Sequence, residues 1–80
     1  MKKVELGGVV RQLAKEWVVV NGSDGQYGGI LSSGDECGVL LSPGLKAEGR
    51  TDPSRLDYDS EVAREGVYVE RDEIDGIELM

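Results

Sequence analysis

The residues of this 80-residue chain that could do chemistry are few in kind: there is no histidine, one cysteine (Cys37), and 16 Asp and Glu against 9 Lys and Arg. Carboxylates with no imidazole beside them and no nucleophile–base pair cannot form the usual acid–base or covalent machinery. The stretch "DPSRLDYDSE" (residues 52–61) offers several oxygen ligands but lacks the spacing and central glycine of a calcium loop. The glycines of "GSDGQYGG" (residues 22–29) lack the lysine and the following helix of a phosphate loop, which leaves a turn. With one cysteine and no histidine there is no zinc cluster either. The expectation is a protein that is not an enzyme and carries no cofactor and no metal.

Binding is the remaining chemistry. Asp35 lies at the centre of "QYGGILSSGDECGVLL", two apolar runs joined by the polar turn "SGDE". A carboxylate there can read a base edge, and an aspartate there is also an ordinary hairpin-turn residue. Tyr27 and Tyr68 offer stacking faces for bases, while their alternate strand positions also suit core or inter-subunit packing. Arg11 and Lys15, with Lys2 and Lys3, form the basic cluster, which serves either phosphate contact or a solvated face. Trp17, at a helix-to-strand junction, reads as a core anchor.

These residues need elements to hold them. Residues 5–16, "ELGGVVRQLAKE", place Val9, Val10 and Leu13 on one face and Arg11 and Lys15 four apart on another, which predicts a short amphipathic helix weakened at its start by Gly7 and Gly8. The β-branched "WVVVN", then "QYGGILSS", then "CGVLLS" predict a meander of three strands, with Pro43-Gly44 bending or ending the third. Gly28 and Gly29 inside the second strand predict a sharp bend or a close backbone approach. Residues 43–65 predict a long connection, mobile over 46–65, in which "SEVARE" makes one helical turn capped by Ser60. "GVYVE" and "DGIEL", separated by "RDEI", are the last two strands. Five short strands with a helix before them predict a mainly β fold, a small and strongly bent barrel, as one domain over residues 1–80.

A chain this short buries only about 60% of its unfolded surface, so without disulfide or metal it gains most from joining copies of itself. The lone cysteine, and an N-terminus without a continuous apolar stretch, predict a cytoplasmic protein that makes no use of a membrane. Residues 1–50 balance six Lys and Arg with six Asp and Glu, whereas residues 51–80 set three against ten and so supply the whole net charge of −7. That acidity argues against DNA and against any non-specific grip on phosphate, and it keeps a small domain soluble.

The order of a short helix, "VVVNGSDGQYGGILSSGDECGVLL", a variable linker and "GVYVERDEIDGIEL" resembles the Sm-like family, which includes the bacterial host-factor RNA chaperone. Tyr27, Gly29, Leu31 and Asp35 follow the spacing of that family's first motif, and "DECGVLL" is closer to its bacterial version. The resemblance implies a five-stranded Sm-like barrel assembled as a homo-oligomeric ring, the fourth strand of one copy pairing with the fifth of the next, and single-stranded RNA as ligand. It implies Asp35, Tyr27 and Arg71 as base-side contacts; the phosphate contacts of such a binder fall to Arg11 and Lys15, because the C-terminal stretch is too acidic to supply them. The departures fall on the same sites. Val39 stands where archaeal and eukaryotic members carry a uracil-gripping Asn, Glu70 and Arg71 stand where they carry an Arg-Gly pair, and the chaperone's Lys-His signature is missing. A one-residue slip that would bring Arg71 into place reverses its face on a strand. An acidic ring that binds protein partners instead of RNA is the second reading.

Overall fold

The computed structural model describes residues 6–49 and 51–80. Helix α1 spans Leu6–Leu13, and strands β1 to β5 span Trp17–Gly22, Gly25–Asp35, Gly38–Ala47, Val67–Glu70 and Ile74–Leu79. A 3₁₀ turn over Pro53–Arg55 and a short helix α2 over Glu61–Glu65 lie between β3 and β4, and a second 3₁₀ turn over Arg71–Glu73 leads into β5. All pairings are antiparallel, in the order β4-β3-β2-β1-β5. No ladder joins β4 to β5, so the sheet is open and these two strands are its edges.

Alternation builds the core. β1 turns Val18 and Val20 inward, β2 adds Tyr27 and Leu31, β3 adds Val39 and Leu41, and Val69 and Ile74 complete a single cluster. The six aliphatic side chains of that set other than Ile74 are wholly buried, each worth about 1.5–3 kcal/mol of transfer free energy. Val10 and Leu13 of α1 and Val67 and Ile77 close the cluster from its margins.

Two register shifts bend β2 against β3. The step from Gly29↔Gly44 to Leu31↔Leu41 leaves an extra residue on β3, and the step to Ser33↔Leu40 leaves one on β2. The first falls at Pro43, whose missing N–H is tolerated at a bulge, so β3 bends there and continues to Ala47 instead of ending; the Ser42–Pro43 peptide is cis. Gly29 answers the expectation of a close approach: its φ is +152°, and a Cβ there would sit 2.1 Å from the Pro43 carbonyl oxygen.

Helix α1 is shorter than its periodicity suggests. It stops at Leu13, and Lys15 takes a left-handed φ of 68° beyond its end, so Arg11 and Lys15 do not share a helical face. Reciprocal bonds fasten that end to β2: the Lys15 N–H donates to Leu31 O at 2.8 Å and the Leu31 N–H to Glu16 O at 3.1 Å. Lys2 and Lys3 lie outside the described residues.

The connection over residues 43–65, expected to be mobile from residue 46, is instead mostly built. Its first part is β3, Asp52 caps the 3₁₀ turn by accepting from Ser54 N–H at 3.0 Å, and Ser60 Oγ accepts from Ala63 N–H at 3.2 Å at the start of α2, as its position predicts. Pro53 and Ala63 are buried, so the segment lies against the sheet as a strap. Its contact point is Gly28, where a Cβ would stand 2.0 Å from the Tyr58 hydroxyl and 3.2 Å from Pro53 Cβ. Trp17 is consequently not a core residue. It remains 41% exposed on the outer face, its ring 4.9 Å from that of Tyr58.

Candidate interaction site at the β2–β3 turn

Strands β2 and β3 are joined by only Glu36 and Cys37, with Asp35 facing Gly38 in the last rung. Neither loop residue has positive φ, so this is not the primed turn that matches strand twist in two-residue hairpins. Asp35 compensates: its Oδ1 accepts from the N–H of Cys37 at 2.8 Å and of Gly38 at 3.3 Å. One oxygen of the carboxylate thus braces the turn, the structural one of the two roles expected for it.

The β4–β5 junction is tied to the same turn. The Arg71 backbone N–H donates to Cys37 O at 2.9 Å, and its Nη1 reaches Glu36 O at a long 3.5 Å. Tyr68 lies over Gly38, where a Cβ would come within 2.7 Å of its hydroxyl, yet the residue stays 51% exposed. Between turn and junction opens a shallow cleft of about 390 Å³ lined by Glu36, Cys37, Tyr68, Glu70, Arg71 and Asp72. Partial desolvation, then the charges of Asp35, Cys37 and Glu70, raise the Tyr68 pKa above 10.0.

The five residues expected to bind thus fall in different places. Asp35 and Arg71 both bond to the β2–β3 turn, Asp35 to the N–H groups of Cys37 and Gly38 and Arg71 to the carbonyls of Cys37 and Glu36. Tyr27 does not join them: it is 8% exposed, its hydroxyl donates to Glu73 Oε2 at 3.2 Å, and Lys46 Nζ lies 5.7 Å from its ring centroid. A ring so enclosed has no face for a base, and burial first, with Glu73 second, raises its pKa. Arg11 and Lys15 are exposed near the end of α1. Val39 is wholly buried, so that position cannot touch a ligand, whereas Glu70 is exposed in the cleft.

Sequence reasoning missed Glu36, Cys37 and Asp72 as cleft residues. The signal was the alternation of "GVYVE", which puts Tyr68 and Glu70 on the face opposite buried Val69. The cleft sets three carboxylates around one guanidinium, a surface that repels phosphate and accepts donors and cations. Among the described residues no group of three or more His, Cys, Asp or Glu is arranged to hold a metal ion, and no helix is long and apolar enough to cross a membrane.

In comparisons with known proteins, no family model, no curated protein and no solved structure matches the chain.

Proposed function

We propose that the protein is a non-enzymatic Sm-like module, a small SH3-like barrel whose copies join edge to edge into a closed ring and present an acidic surface to protein partners. The observation that carries this reading is the sheet order, which leaves β4 and β5 as the two edges with their outer backbone groups open to pairing. A β4-to-β5 joint repeated by rotation satisfies both edges of every copy at once. Tyr68 on β4 and Leu79 on β5, 51% and 60% exposed, add apolar surface to such a joint. Light scattering at micromolar concentration tests it: a mass of about five to seven copies supports the ring, and a monomer overturns it.

RNA binding by the same ring is the second reading, favoured by the position of Arg71, which stands beside the β2–β3 turn where the resemblance sets a base contact. Its phosphate contacts fall to Arg11 and Lys15, which ring symmetry would repeat as a rim. Fluorescence anisotropy with uridine- and adenosine-rich oligonucleotides at low salt separates the readings. Binding that weakens steeply with salt and is lost in the Arg11→Glu, Lys15→Glu double variant favours RNA; no binding favours the protein scaffold.

A further inference from the structure

On the outer face of the sheet, away from the β2–β3 turn, a second cleft of about 410 Å³ separates the β1–β2–β5 surface from the strap. Its apolar lining comes from Val19, Pro53, Leu79 and Met80, and two carboxylates, Asp52 from the strap and Glu78 from β5, border it. Both carboxylates are oriented by neighbours. Asp52 Oδ1 accepts from Ser54 N–H and Oγ–H at 3.0 and 2.9 Å, and these bonds hold its pKa below the usual carboxylate value. Glu78 Oε1 accepts from Asn21 Nδ2 at 3.0 Å, and Asn21 Oδ1 in turn accepts from Gln26 Nε2 at 2.8 Å, a polar ladder running across β2, β1 and β5.

We propose that this cleft is a docking site for a lysine- or arginine-bearing segment of a protein partner, its alkyl stem on Val19, Pro53 and Met80 and its cationic head between Asp52 and Glu78. Three features choose that occupant. A mixed lining, in which Val19, Pro53, Leu79 and Met80 stand beside Gln26, Thr51, Ser54 and the two carboxylates, matches the amphipathic form of a long basic side chain, apolar along its stem and charged at its tip. Among the described residues no lysine or arginine lines the cleft. Residues 51–80, which contribute most of its walls, also carry the whole net negative charge, which draws basic segments toward it. The contacts proposed for the occupant, Val19, Pro53, Met80, Asp52 and Glu78, leave out Leu79, the cleft residue that the proposed β4-to-β5 joint would use.

The test titrates the full chain with a short peptide of alternating lysine and leucine, read by amide chemical shifts, beside its glutamate–leucine counterpart. Saturable shifts centred on Thr51–Ser54 and Glu78–Met80, weakened about fivefold by either Asp52→Asn or Glu78→Gln, support the proposal. Asparagine at 52 keeps the cap and glutamine at 78 keeps an acceptor for Asn21, so both variants should fold, which melting checks. Glu61→Gln, on α2 and outside the cleft, should change nothing. Equal binding of the glutamate–leucine peptide, shifts centred elsewhere, or indifference to both variants overturns it.

Discussion

The rings of Trp17 and Tyr58 meet at a centroid distance of 4.9 Å and an angle of 58°, which fastens the strap between β3 and β4 to the first residue of β1. The Tyr58 hydroxyl turns back to donate to the Pro53 carbonyl, so the same side chain also closes the strap on itself. Two residues 41 positions apart in sequence thus decide whether an irregular segment is ordered.

Tyr58→Ala should therefore release the strap while leaving the sheet folded. The aromatic pair is worth about 0.5–1.5 kcal/mol beyond its buried area, enough to raise the open population of the strap about tenfold. Limited proteolysis reads this as early cutting between Glu48 and Tyr58 in the variant and slow cutting in the native chain.

Gly29→Ala should be among the most damaging single-methyl changes. The added carbon meets a backbone oxygen at 2.1 Å and imposes a φ of +152° on an L residue, so neither rotamer change nor side-chain movement relieves it. A loss of about 3 kcal/mol, read as a lowered urea midpoint at unchanged slope, is expected.

Asp35→Ala should cost about 1 kcal/mol by exposing the Cys37 and Gly38 N–H groups, and Asp35→Asn, which keeps an acceptor, should recover most of it. Thermal melts of the two variants test the turn role directly. If Asp35 were held in place for a ligand alone, both substitutions would leave the melting temperature unchanged.

All three tyrosines have pKa values above the ordinary 10.0, each with desolvation as the largest cause. Tyrosinate absorbance should therefore develop above pH 10, later than in the unfolded chain. A raised folded-state value makes the neutral phenol the form that folding favours. The stability it carries is complete below pH 10 and is lost as pH rises through the folded value. Chemical denaturation at successive alkaline pH values should show this decline, and Tyr27→Phe should make it shallower.

The strands were legible because β1 and β3 are runs of Val and Leu bounded by turn residues, and because Gly28 and Gly29 interrupt β2 with an evident purpose. Ser60 likewise announced α2 through its capping position. Other features depended on partners far along the chain. Nothing local to "WVVVN" tells that Trp17 faces outward, since that follows from Tyr58 arriving on the outer face. Tyr27 had two open roles until Lys46 and Glu73 were found enclosing it. The end of α1 was misread because Ala14 and Lys15 continue a helical pattern, while two bonds to Leu31 and Glu16 reward stopping. The cleft beside Asp35 was half legible: the turn was plain, but the arrival of Arg71 over it is a product of sheet order.

The ladder between β1 and β5 has a kinetic meaning. β1–β2, β2–β3 and β3–β4 join strands consecutive in the chain, whereas β1 pairs with β5 across more than fifty residues, Val18 with Leu79 and Val20 with Ile77. Closing so large a loop is entropically unfavourable until the intervening hairpins have already shortened the effective chain, so the meander forms ahead of the β5 ladder. Truncating Ile77 should then mainly speed unfolding and truncating Leu31 should mainly slow folding, the two arms of a chevron plot separating early contacts from late ones. The edge strand β5 should accordingly be the last to be secured and the first to be released.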